Sequence, residues 1–226
     1  MCGRYLLTAS KEGLASWFGF TGGPAVQARY NIAPSQSIPV VRLTPEGKER
    51  ELAFLRWGLI PAWAKDLSFG ARTINARSET IADKPAFRTA FRRQRCLIPA
   101  DGFYEWKKAG KNKQPYVIRP ADGHPLSFAG LWDRWQSPEG EVLETATIIT
   151  TAANEVLRPL HERMPAILPR EHYALWLDPQ QQKDNLLQLL MPYPDRLLTL
   201  YPVTPWVSDA HHEGERCLEP ATTLFA

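Results

Sequence analysis

The chain has 226 residues, 27 of them Lys or Arg and 24 Asp or Glu, for a net charge of +3. Its 44% hydrophobic and 23% charged content is an ordinary globular balance with enough apolar mass for a sizeable core. No apolar run approaches a membrane span, and the scattered cysteines Cys2, Cys96 and Cys217 form neither a disulfide framework nor a zinc ribbon.

Twenty prolines and eight tryptophans favour short strands and loops over a helical bundle. Residues 3–7 read as a strand, and Ser10 then offers an N-cap to a helix over Lys11–Phe18 that Gly19 closes. Ser37–Leu43 and Arg50–Trp57 alternate around Thr44-Pro45-Glu46-Gly47, a hairpin signal, and residues 58–66 form a loop carrying Pro61 and Trp63. Short helices are expected over 78–82 and 84–91, with Pro85 in the first turn of the second. Strands follow at 94–98, 102–107, 115–119, 126–132 and 145–151, with a turn at 108–113. Helices over 169–176 and 179–190 and a late strand over 198–203 complete the pattern. The fold class is α+β: a single domain over 1–226, built on a curved, barrel-like, mostly antiparallel β-sheet with short peripheral helices.

Four segments carry candidate chemistry. Met1-Cys2-Gly3-Arg4 places Cys2 at the mature terminus once Met1 is trimmed. Its α-amine (pKa about 7.7–8.0) and thiol (about 8.5) then share one carbon. Such a pair acts as an N-terminal nucleophile or condenses with an aldehyde to a thiazolidine, unless Cys2 is simply a small buried hydrophobe. Arg4 adds a cation that lowers a thiol pKa and attracts phosphate. Thr73-Ile74-Asn75-Ala76-Arg77-Ser78-Glu79 offers Asn75 and Arg77 before a helix start, either to orient a polar anion or as a capping residue and a surface partner of Glu79. In Phe103-Tyr104-Glu105-Trp106-Lys107, alternation puts Glu105 on the face of Phe103. Desolvation there raises a carboxylate pKa into the range of proton transfer; the alternative is a solvent-facing pair with Lys107. His161, in Leu160-His161-Glu162-Arg163-Met164-Pro165, suits acid–base work near neutral pH, in competition with His124, His172, His211 and His212. Arginines interleaved with Trp57, Trp63 and Trp106 suit a single-strand nucleic-acid groove.

Together these segments resemble the SRAP family of abasic-site processing proteins. The resemblance is carried in order by Met1-Cys2-Gly3-Arg4-Tyr5, Arg29-Tyr30-Asn31-Ile32-Ala33-Pro34 and Arg56-Trp57-Gly58-Leu59-Ile60-Pro61. It continues through Ile74-Asn75-Ala76-Arg77-Ser78-Glu79-Thr80, the stretch from Cys96 to Trp106, and His161-Glu162-Arg163-Met164-Pro165. From about residue 205 the tail departs from the family pattern. The resemblance implies a protein that binds single-stranded DNA at abasic sites and captures the ring-opened sugar on Cys2 as a thiazolidine. Within it, Glu105 shuttles protons, Asn75 and His161 orient the sugar, and Arg4, Asn31, Trp63 and Arg77 contact DNA. It also implies a peptidase-like removal of whatever precedes Cys2. No cofactor, metal or membrane is called for. A cytoplasmic monomer that joins the nucleoid when bound to DNA is expected. The competing readings are a class II glutamine amidotransferase-like hydrolase, which shares the Met-Cys-Gly start, and a non-catalytic single-strand binder.

Overall fold

The computed structural model describes residues 2–222. In chain order the first elements are β1 (Tyr5–Leu7), α1 (Lys11–Phe18), β2 (Arg29–Ile32), β3 (Ser37–Leu43), β4 (Arg50–Trp57) and β5 (Asn75–Arg77). Then come α2 (Arg88–Arg93), β6 (Arg95–Ala100), β7 (Gly102–Ala109), β8 (Asn112–Pro120), β9 (Leu126–Gln136) and β10 (Val142–Ala152). The last are β11 (Arg163–Pro165), α3 (Tyr173–Leu177), α4 (Lys183–Gln188) and β12 (Leu198–Pro202).

Local chemistry sets several of these ends. Ser10 accepts the Gly13 N–H at 3.1 Å to start α1, and Gly19 ends it at φ 69°. β3 and β4 pair from Ser37↔Arg56 to Leu43↔Arg50, and β7 and β8 close at Ala109↔Asn112 around Gly110 (φ 58°).

Strand pairing then builds two sheets. In one, β10, β4, β3, β6 and β9 follow one another, and β9 pairs back onto β10, so the sheet closes into a five-stranded barrel. β5 and β11 extend β10 beyond the ring. The other sheet runs β12-β8-β7-β1-β2. The barrel interior holds the main core, which includes Trp57, Leu97, Phe128 and Ile148. A second cluster of Leu6, Tyr104, Val117, Val203, Val207 and Cys217 joins the second sheet to the tail, whose residues Pro205–Ser208 and Glu215–Leu218 are short 3-10 turns.

The barrel-like α+β architecture is the one expected from the sequence. The helices are where the expectation needs correction. Residues 78–82 are turns, because the Ser78 N–H bonds to Thr150 O at 2.9 Å and prolongs pairing along β10 instead of entering a helix. The helix expected over 84–91 is α2, shifted to Arg88–Arg93, and that over 179–190 contracts to α4. The helix over 169–176 begins as a 3-10 turn, Arg170–His172, before α3. β2, β5 and β11 are strands that the sequence reading leaves as loop.

Candidate active site

Cys2 lies just ahead of β1 with no exposed surface. β1 is threaded between β2 and β7, with Tyr5 opposite Phe103 and Leu6 opposite Gly102. A Cβ at Gly102 would stand 2.6 Å from Ile118 O, so this position accepts only glycine and lets β7 lie close to both neighbours. Asp101 fixes the other end of β1, its Oδ2 accepting the Thr8 hydroxyl and the Ala9 N–H, each at 2.8 Å.

The register of β7 sends Phe103 into the main core and Tyr104 into the second cluster. Glu105 therefore turns inward with Phe103 and is 4% exposed, whereas Lys107 is exposed. The solvent-facing pair of Glu105 with Lys107 is thereby excluded. Burial pushes the Glu105 carboxyl up to about 7, where it both gives and takes a proton at neutral pH. The Cys2 thiol is pushed up too, first by burial and then by the Glu105 charge, and the Arg4 amide N–H opposes this. Thiol and carboxyl thus feel each other directly, with the thiol held as S–H beside a base.

Asn75 and His161 are placed by two short strands that pair with β10. Asn75 pairs with Ile148 on β5, and Arg163 pairs with Ala152 on β11, two residues after His161. The Trp57 ring packs on Tyr5 at 5.5 Å and its Nε1–H donates to Ile74 O at 2.8 Å, linking the Asn75 segment to β1. The Asn75 Nδ2 donates to Ile74 O at 3.0 Å, while its buried Oδ1 has no hydrogen-bond partner among the described residues. A buried acceptor left open is ready for a ligand donor. His161 Nδ1 accepts the Arg163 N–H at 2.9 Å, so the neutral ring carries its proton on Nε2. Burial, and then the positive charge of the amino terminus, lower its pKa. That charge acts on Glu105 as well.

The remaining candidates divide. Arg77 is exposed and makes no ion pair or side-chain hydrogen bond among the described residues. Its suggested partner Glu79 instead takes the buried Arg163, with Nη2 to Oε2 at 2.9 Å. Trp63 is 58% exposed, set edge-on to Phe69 at 5.2 Å in the loop between β4 and β5. Arg4 and Asn31 make internal hydrogen bonds. The Arg4 guanidinium binds Asn31 Oδ1 and the carbonyls of Val207 and Ser208, and Asn31 is wholly buried. Their side chains bind the tail, and the segment beyond 205 is packed against the start of the chain and β2.

Sequence reasoning missed the supporting groups: Arg163, which joins the His161 loop to the Asn75 turn, and the glycines that bring backbones together. Arg163 sits inside a motif already singled out, but nothing local marks it as 9% exposed.

Comparison with known proteins covers nearly the whole chain. The pattern of the SOS response associated peptidase (SRAP) family matches residues 1–210. Abasic site processing protein YoqW of Bacillus subtilis is 40% identical over 224 residues, covering 97% of this chain and 99% of that protein. Abasic site processing protein HMCES of Xenopus tropicalis is 31% identical, covering 96% of this chain and 78% of its own length. A crystal structure of a Bacteroides thetaiotaomicron protein superposes with a TM-score of 0.89 at 28% identity, covering 97% of this chain and all of that one. One from Bordetella bronchiseptica gives 0.79 at 32%, covering 90% of this chain and all of that one. The chain belongs to the SRAP family.

Proposed function

We propose that this protein captures abasic sites in single-stranded DNA as a thiazolidine on Cys2. The observation that carries this reading is the buried Cys2 thiol beside a Glu105 carboxyl whose pKa lies about 7. Its relatives YoqW and HMCES, both named abasic site processing proteins, support the substrate.

The chemistry follows from the groups present. Removal of Met1 frees the Cys2 amine. The ring-opened abasic sugar is an aldehyde, and the amine adds to C1′ to give a carbinolamine. Protonated Glu105 donates to the departing hydroxyl, water leaves, and an iminium ion that keeps its N–H remains. Glu105, now a carboxylate, takes the thiol proton as Sγ adds to the iminium carbon, and the electron pair of the C=N bond returns to the nitrogen, which keeps its one proton. The balance is one aldehyde consumed, one water released and one five-membered ring formed. Asn75 Oδ1 accepts a sugar hydroxyl, and the Nε2–H of His161 donates to the sugar or its flanking phosphate. Arg77 holds a phosphate and Trp63 stacks on a base.

Met1 is removed either by an aminopeptidase or by the protein itself. In self-removal the Cys2 thiol attacks the Met1 carbonyl, the peptide bond breaks to a thioester, and water releases methionine. Intact-mass measurement of Glu105→Gln against wild type separates the routes. Retention of Met1 in the variant marks self-removal, since an aminopeptidase reads only the terminus and trims both alike.

The test of the main reading is direct. Purified protein is incubated with a single-stranded oligonucleotide carrying one abasic site and run on a denaturing gel. A heat-stable protein–DNA band that disappears in Cys2→Ala is expected; no band with wild type overturns the reading.

A further inference from the structure

The tail segment 205–213 closes over the start of the chain through Arg4 and Asn31. Arg4 Nη1 donates to Asn31 Oδ1 at 2.6 Å and to Val207 O at 2.8 Å, and Nη2 donates to Ser208 O at 3.2 Å. Asn31 turns its Nδ2 to the carbonyls of Val207 at 3.2 Å, Asp209 at 2.8 Å and His212 at 2.8 Å. The segment is braced from outside as well. The Trp206 and His212 rings stack at 3.3 Å, and Glu213 takes the Tyr30 N–H at 2.8 Å and Arg29 Nε at 2.6 Å.

The other end of Arg4 lies in the active site. Its carbonyl accepts the Tyr104 N–H at 3.0 Å, one residue before Glu105, and its own position is two residues after Cys2. Arg4 spends three of its five N–H donors on acceptors within the protein, and the Asn31 amide is wholly buried. We infer that Arg4 and Asn31 are positioning residues, through which the 205–213 strap sets Cys2 against Glu105. This inference rests on the reading of Cys2 as the reacting residue.

The experiment measures crosslinking at saturating abasic DNA, and DNA affinity in a Cys2→Ala background, for Asn31→Leu, Arg4→Lys and Glu213→Gln. Lysine keeps the positive charge that a phosphate contact needs but cannot bridge the strap. For Arg4→Lys and Asn31→Leu the limiting rate is expected to fall about tenfold or more, as displacement of a reacting group does. DNA affinity and its salt dependence stay unchanged. Glu213→Gln, at the outer edge of the strap, loses rate in the same direction to a smaller extent, and supplies the deciding measurement should Asn31→Leu not fold. A limiting rate equal to wild type, or weakened affinity with the rate preserved, overturns the inference. A DNA-free arm follows uptake of formaldehyde on Cys2 by mass spectrometry. Slower uptake in the strap variants upholds the strap even if wild type captures no abasic DNA, an outcome that would sink the functional proposal alone.

Discussion

At the scale of single residues, the pH dependence of this protein is concentrated in Glu105. A carboxyl moved from 4.5 to about 7 gives crosslinking a bend near pH 7. Below it the group cannot take the thiol proton; above it the group cannot protonate the departing hydroxyl. Glu105→Gln is expected to lose that bend and about 10²-fold in rate, which a pH series of single-turnover crosslinking measures. The same shift affects stability with a definite sign. The folded state holds the Glu105 proton more tightly than the unfolded state, so stability is greatest below the unfolded value and declines as pH rises through about 7. The cost at pH 8 is about 3 kcal/mol at most. Glu105→Gln, which never charges, is expected to melt higher than wild type at pH 8 and to match it at pH 4; a variant less stable than wild type at pH 8 contradicts this.

At the scale of elements, the loop between β4 and β5 is shaped by two glycines facing each other. Gly58 sits at φ 125°, and a Cβ there would come within 2.6 Å of Gly70 O. Gly58→Ala is therefore expected to cost about 2 kcal/mol and to splay the loop that carries Trp63. Affinity for single-stranded DNA then drops about tenfold, the loss of one stacked base, while formaldehyde uptake on Cys2 persists. Trp63→Ala should show the same loss of affinity with no change in melting temperature. This loop also illustrates how far the sequence is legible. Hairpins announce themselves locally: Ser37–Leu43 and Arg50–Trp57 alternate around a turn, and both strands form at those limits. So does the inward turn of Glu105, because a strand has a period of two. Pairings between distant segments leave no such mark. Asn75–Arg77 reads as a helix lead-in, yet becomes a strand because β10, some seventy residues later, offers it a parallel edge. Arg4 and Asn31 read as ligand contacts because the tail that binds them lies about two hundred residues away. Cys2, Asn75, Glu105 and His161 stand out through residue chemistry and resemblance; what holds them in place does not.

At the scale of the whole molecule, the charge count overstates what is available to DNA. Of the 27 basic residues, several arginines are consumed inside the fold. Arg42 is bonded to Glu51 and Glu144, Arg95 to three backbone carbonyls, Arg163 to Glu79, and Arg4 to the strap. Arg77, two residues from Asn75 on β5, is exposed. A protein that grips few phosphates releases few counterions, and each contact to a single strand contributes about 0.7 to the slope of log K against log salt. Binding of the Cys2→Ala protein to single-stranded abasic DNA is therefore expected to show a shallow slope, about −2, as for three phosphates. Arg77→Ala should lower affinity and make the slope shallower by about 0.7. Arg42→Ala, remote from the strand, should leave both unchanged while lowering the melting temperature, since Glu51 and Glu144 lose their shared partner. Fluorescence anisotropy across a salt series measures the slopes. A steep slope, or one that Arg77→Ala leaves intact, would mean that the strand follows a basic surface away from Asn75. Capture would then depend on Cys2 finding a sugar that the arginines do not present to it.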